Sequence, residues 1–546
     1  MSTCLQTHGS CNSLWKVAFD EGCLWVTSAT SQNTSLVDDG SGGGRCERAP
    51  PGQPTNQFFP LLPTRVLDIG GPDTDLIRLC EPQGEKGLYV CLSHCWGDTG
   101  ILRTTSKTID SHRRGIKLKD LSKTFQDAVR FARRVGANFI WIDSLCIVQD
   151  DAQDWATEAA RMATIYENAF LTIAATRAQN GEEGCFSGPT PIGRQFEITG
   201  ETEAGEPYQV LTRKKLPAAH LDDMPLLQRA WVFQERLLSP RVLHFSSWEL
   251  IFECRTTSYC QCDKPGAPVY KPDGDPRPDA GTVSLNVSGV PSPPKVKYSG
   301  VLADSSASHH SSVSLWQSIV QDYSRQKLTV ETDIFPALSG LAKQVQKCRT
   351  GKYIAGLWED SLLEDLGWRK RSDGVPLDFP RAWRAPSWSW ASVMGGVCYG
   401  ARQAVVKSYS RVTTWHCKQA SSDPTGALVE AHIVVSGLSI AAHVRVKFKD
   451  AKAGQQYKYL ALEVDGEVIK EDFADGPLDG FDDGEMVTLL GLCQDPLFET
   501  FLVLKKEVEG AATRYRRVGC FRRCHPIWGS LESKQSAETT EDMMII

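Results

Sequence analysis

Apolar positions between residues 88 and 175 switch between two periods. Tyr89 to Leu92 and Phe139 to Ile142 are short unbroken apolar runs with β-branched and aromatic members, the pattern of strands buried on both faces. Between them, Asp120 to Val135 places Leu121, Phe125, Ala128, Val129 and Ala132 on one helical face, and Gly136 ends it. After the second run, Asp150 and Asp151 offer an N-cap and Asp154 adds negative charge to a first turn. Trp155, Glu158, Met162, Ile165 and Ala169 then follow at steps of three and four, and Phe170 to Ala175 returns to a strand pattern. The order strand, helix, strand, helix, strand predicts an α/β fold, with a parallel sheet closed by right-handed helical crossovers. Leu226 to Leu238 predicts a further helix ended by Ser239 and Pro240, and Arg241 to Phe245 and Trp248 to Phe252 predict two more strands.

The flanking sequence divides the chain. Residues 1–60 form an N-terminal segment in which Asp38 to Gln57, rich in Gly and Pro, reads as a flexible insertion. The α/β pattern occupies 61–262, with its core at about 85–236. Residues 263–313 are dominated by Pro, Gly, Ser, Asp and Lys and are expected to be disordered. Residues 314–400 are expected to be helical from Trp316 to Cys348 with a break near Thr332 and Asp333, with a short helix in Trp358 to Trp368. They end in APSWSWA, Ala385 to Ala391, read as a core strand with Trp388 and Trp390 on one face. Residues 401–530 read as β-rich and 531–546 as a polar tail.

Composition narrows the function classes. A net charge of −6 over 546 residues offers no basic footprint for nucleic acid. The first residues lack the apolar core of a signal peptide, and no run approaches the roughly 18 apolar residues of a membrane span. Eighteen cysteines without a secretion signal read as thiols, and the expected location is cytoplasmic. Cys4, His8 and Cys11, and likewise Cys254, Cys260 and Cys262, bring zinc-ligating types together without a familiar four-ligand spacing, so no metal is expected.

Candidate chemistry gathers at the carboxyl ends of the predicted strands, where open parallel sheets hold their ligands. Ser93, His94, Trp96 and Gly97 follow the first strand, and Asp143 and Cys146 follow the second. Adjacent His94 and Cys95 should point apart and so do not make a nucleophile–base pair. Glu158 stands out because it interrupts an apolar stripe, where an unpaired charge is costly. It either bonds Arg161 three residues on or lines a pocket beside the sheet. On the helix at 226–238, Trp231, Gln234, Glu235 and Leu238 can share a face flanked by Arg229 and Arg236.

Four stretches together resemble the fungal heterokaryon incompatibility (HET) domain: YVCLSHCWG at 89–97, FIWIDSLCIVQDDAQDWATEAARMATIYENA at 139–169, RAWVFQERLLSPRVLHF at 229–245 and APSWSWAS at 385–392. PTRVLDIG at 63–70 and the stretch from Trp316 to Gly340 are also similar to such proteins. The resemblance implies allorecognition, programmed cell death and a distant kinship with TIR domains, flavodoxin-like modules that self-associate and in some cases cleave NAD. A Glu shortly after a Trp is catalytic in TIR enzymes, and Trp155 and Glu158 occupy a similar place.

The resemblance therefore implies Glu158 as the catalytic candidate and NAD as a substrate rather than a bound cofactor. Trp155 or Trp96 would stack on a ring, Ser93 and Asp143 would bond ribose, and Arg229 or Arg236 would approach the pyrophosphate. Three function classes stand open: an effector or signalling module working through self-association or a second recognition protein, an NAD glycohydrolase, and a small-molecule enzyme of secondary metabolism on the same fold.

Overall fold

The structure, a computed structural model, describes residues 59–98, 100–186, 224–247, 250–256, 294–304, 308–371, 379–400, 405–450, 456–471, 473–475, 480–509, 512–524 and 539–546, and strands at 2–5, 15–20, 23–28, 195–201, 207–213 and 258–260. The chain divides into two units, Met1–Gly274 with Ser284–Ala303, and Asp275–Val283 with Asp304–Ile546. Asp38 to Gln57, His8, Cys11 and Cys262 lie outside the described residues.

In the first unit, strands β1 (Ser2–Leu5), β2 (Trp15–Asp20) and β3 (Cys23–Ser28) pair as an antiparallel meander. The elements of the α/β body follow: β4 (Val66–Asp68), β5 (Leu76–Cys80), β6 (Tyr89–Ser93), α1 (Ile109–Arg114), β7 (Ile116–Lys117), α2 (Lys123–Arg134), β8 (Phe139–Trp141), α3 (Asp143–Cys146), α4 (Ala152–Asn168) and β9 (Leu171–Ala174). A hairpin of β10 (Gln195–Glu201) and β11 (Pro207–Arg213) precedes α5 (Ala230–Leu238), β12 (Arg241–Phe245), β13 (Leu250–Cys254), β14 (Ser258–Cys260) and α6 (Pro294–Ala303).

The main sheet has the order β14-β13-β12-β9-β6-β8-β4-β5-β7. Its parallel part is β12, β9, β6 and β8; β4, β5 and β7 on one side and β13 and β14 on the other run antiparallel, so the sheet is mixed rather than wholly parallel. Short connections join the antiparallel pairs β4–β5 and β12–β13, and helices lie in the connections of the four parallel strands. In chain order the parallel strands lie second, first, third, fourth, so winding reverses between β6 and β9.

Every residue of β6 is buried, as its unbroken apolar run requires. Helix α2 starts at Ser122, whose side chain accepts from Phe125 N, and buries Phe125, Ala128, Val129 and Ala132 as its periodicity predicts. Helix α4 is capped by Asp151, which accepts from Gln153 N and Asp154 N. The expected disorder does not extend through 294–303. There α6 forms and buries Lys295 and Tyr298, giving a Lys/Pro-rich stretch a face to pack.

The second unit opens with α7 (His309–Tyr323), also inside the stretch expected to be disordered, and α8 (Pro336–Gln346). APSWSWA is not a strand. Pro386 supplies no N–H, Ser389 accepts from Ala391 N, and Ser392 Oγ donates to the carbonyls of Ser387 and Ser389, so local side-chain bonds replace a ladder. Trp388 and Trp390 are nevertheless fully buried, and Trp390 Nε1 donates to Gly356 O at 2.9 Å.

A largely antiparallel sheet follows, built on the 23-residue strand Leu428–Asp450. The expected polar tail is partly strand: Thr539–Ile545 pairs with that long strand, burying Met543 and Ile545 at a spacing of two. Arg517 Nε reaches Asp475 Oδ2 at 2.7 Å while its guanidinium lies 3.5 Å from the Trp368 ring centre.

Candidate functional site

The register of the parallel strands sets the site. Cys91 pairs with Trp141 and Thr172, and Ser93 with Ala174, which in turn pairs with His244. Ser93 therefore ends β6 beside the point where winding reverses, and Asp143, two residues beyond Trp141, stands level with it. Side chains alternate from Ser93 onward. His94 turns to α2, edge-on to Phe125 with ring centres 5.0 Å apart, whereas Cys95 packs with Ala174, Leu226, Val232 and Val242. The two point apart, as expected of neighbours in extended chain.

Ser93 Oγ donates to Glu235 Oε2 at 2.5 Å, both residues being buried. Burial pushes the Glu235 carboxyl up to about 7, and Asp143 adds to this; the Ser93 bond, Arg229 and the Tyr166 hydroxyl pull the other way. Glu235 is thus an acid poised to hold or release a proton near neutrality, the property required of an acid–base group. Tyr166 OH also donates to Leu92 O at 3.3 Å.

Trp96 Nε1 donates to Asp143 Oδ2 at 2.9 Å, and His94 Nε2 stands 3.7 Å from Asp143 Oδ1. Burial lowers the His94 pKa, so the ring is neutral at neutral pH, and among the described residues its Nε2 has no hydrogen-bond partner. Arg229 Nη1 donates to the His94 carbonyl, tying the start of α5 to this turn. Gly97 has φ +69°, and a Cβ there would meet Asn180 Cβ at 2.4 Å, so only glycine fits the turn.

Glu158 on α4 is 1 % exposed. Its Oε1 meets Arg161 Nη1 at 3.3 Å, while among the described residues Oε2 has no hydrogen-bond partner. The neighbouring Arg161 thus binds one oxygen, and the other is left buried. Ser144 Oγ, beside Asp143, is likewise buried without a partner. Native proteins leave few such atoms, and His94 Nε2 and Ser144 Oγ, both beside Asp143, mark a place where a ligand or ordered water is expected.

Trp155 is 36 % exposed, off the inner stripe, and meets Trp231 edge-on with ring centres 6.2 Å apart, joining α4 to α5. Cys146 is buried, and burial raises its pKa to about 12; burial also raises Cys95 and holds Cys91 well above the usual thiol range. These thiols stay protonated and are unsuited to nucleophilic attack.

Arg236 is not brought to this cluster. It binds Glu253 through two N–H groups, at 2.5 and 2.7 Å, and Glu253 also meets His244 Nε2 at 3.2 Å. Burial pushes the Glu253 carboxyl up, but Arg236 and His244 together hold it well below the usual range. Gln234 is buried in α5.

Sequence reasoning missed Glu235, Tyr166 and Arg65 as site residues. The signal for Glu235 was its position four residues after Trp231, on the face turned to the sheet. Arg65 Nε donates to Cys146 O at 2.6 Å and its Nη2 pairs with Asp154 at 2.5 Å, clamping the turn between α3 and α4 to the start of β4.

The fold and site define a doubly wound α/β module with a buried acid cluster at the reversal point of its sheet. Residues 89–235, a minor part of the chain, match the family model described as Heterokaryon incompatibility protein (HET). No curated protein and no solved structure matches the chain. Among the described residues no helix is long and apolar enough to cross a membrane.

Proposed function

We propose that the chain is a cell-death effector of fungal self/non-self recognition, and that its HET domain acts through the acid cluster at the carboxyl edge of β6 and β8. The observation that carries this reading is coincidence: Ser93, Asp143, Glu158 and Glu235 all fall within the matched residues 89–235. Inducing the full chain in a fungal host and counting viable cells tests it. Loss of viability is expected, and unchanged viability at confirmed protein abundance contradicts it.

A second reading deepens the first, and the buried, half-partnered carboxylate of Glu158 favours it. In this reading the cluster hydrolyses the N-glycosidic bond of NAD: nicotinamide leaves with the bonding pair, water adds to the ribosyl carbon and releases a proton, and ADP-ribose is formed. Glu158 stabilises the cationic ribosyl centre. Trp96 or Trp155 stacks on a ring, Ser93 and Asp143 bond ribose hydroxyls, and Arg229 remains the pyrophosphate partner. The TIR-like kinship implied by the sequence motifs supports it. Cellular NAD should fall with the wild-type chain and hold with Glu158→Ala; NAD loss equal in both removes Glu158 from the chemistry.

A further inference from the structure

The second unit contains a cavity of about 250 Å³ whose lining includes Arg325, Lys327, Leu328, Arg384, Trp390 and Met394. Three of these are cations, and no lining residue is an acid. The floor is formed by buried side chains, Arg384 at 5 % and Trp390 at 1 % exposure, and the rim by the exposed residues Lys327 and Gly395.

Arg384 is the informative residue. Its guanidinium is held in plane by three backbone carbonyls: Nε to Ala391 O at 2.7 Å, Nη1 to Glu331 O at 3.1 Å and Nη2 to Val393 O at 2.8 Å. These bonds leave further N–H donors on the group. Among the described residues no carboxylate forms an ion pair with it. Glu331, the acid that faces it, instead receives the backbone N–H of Arg381 on Oε2 at 2.8 Å. Burial lowers the Arg384 pKa, the cost of a cation kept out of water, and Tyr323 and Glu331 offset it only in part. Proteins pair buried charges, and a fixed, planar guanidinium is the group that best receives a carboxylate or phosphate.

We propose that this cavity binds a small organic anion, a carboxylate or phosphate monoester on a single ring or short apolar chain, with Arg384 as its fixed counter-charge. The charged group sits at the guanidinium, Lys327 adds attraction at the rim, and Leu328, Trp390 and Met394 enclose the apolar body. The volume lies below the roughly 300–1,000 Å³ of sites for drug-sized ligands, which limits the occupant to about one ring.

Calorimetric titration of the full chain with phenyl phosphate, benzoate and, as a neutral counterpart, benzyl alcohol tests this. At least one anion should saturate a single site with Kd below about 1 mM, and benzyl alcohol should bind at least about tenfold more weakly. Removing Arg384 would also break three carbonyl bonds, so two other variants carry the test. Lys327→Glu, at the exposed rim, should weaken the anion about tenfold, and Leu328→Trp, which fills the space and keeps every cation, should abolish binding, both with the wild-type melting temperature. Absence of saturation by either anion up to about 10 mM, or unchanged binding by folded Leu328→Trp protein, overturns the proposal.

Discussion

Ser93 Oγ and Glu235 Oε2 lie 2.5 Å apart in the buried layer between β6 and α5. The relationship links the end of the first parallel strand to a helix 142 positions away in sequence. It also fixes a pH dependence. Burial raises the Glu235 carboxyl from 4.5 to about 7, so between these values the native chain keeps a proton that the unfolded chain has lost. Stability contributed by this group therefore falls as pH rises through that window and stays lower above it, by up to about 3 kcal/mol. Glu235→Gln should remove this slope and stabilise the protein by about 1–3 kcal/mol at pH 8. Urea unfolding of both proteins at pH 5 and pH 8 measures it.

The Gly97 turn should not tolerate a side chain. Its φ of +69° and the 2.4 Å approach of a Cβ to Asn180 mean that Gly97→Ala must displace the turn carrying Trp96 to Asp143. A loss of about 2 kcal/mol or more is expected. Quenching of Trp fluorescence by acrylamide should rise as Trp96 leaves Asp143.

Away from the acid cluster, Glu253 neutralises Arg236 and receives His244. Lys295 Nζ donates to the carbonyls of Arg236 and Ser239, pinning α6 to the end of α5. Glu253→Ala leaves buried cations without their acid and should cost about 3–5 kcal/mol, measured by chemical denaturation. Limited proteolysis should then cut near α6 first.

In the second unit, the Gly356 carbonyl receives the indole N–H of both Trp316 and Trp390, each at 2.9 Å. Gly356 has φ +89°, and a Cβ would meet Trp390 Nε1 at 2.6 Å. Gly356→Ala should therefore destabilise by more than about 2 kcal/mol, read as a lower melting temperature.

The elements around the site were legible because burial writes itself into the sequence. Five buried positions in a row at Tyr89–Ser93, and the face of α2 through Phe125 and Val129, follow from local pattern. What escaped was set by distant partners. Glu235 looks like one polar residue on a mixed helix until Ser93 is seen against it, and Arg236, next in sequence, is turned to Glu253. The PSWSW stretch alternates like a strand, yet serine hydroxyls and Pro386 fold it into turns. The Lys-containing helix α6 gains its packed face against α5 and β13, and Met543 and Ile545 reveal a strand only when the long neighbour at 428–450 accepts them.

If the acid cluster within residues 89–235 acts as proposed, the chain is lethal to the cell that carries it. The most direct measurement is the viable count of a fungal host after induction of the wild-type chain and of Glu158→Ala at equal abundance and equal melting temperature. Death with the wild type and survival with the variant are expected. Survival under both contradicts the effector role, and death under both contradicts the acid cluster as its centre.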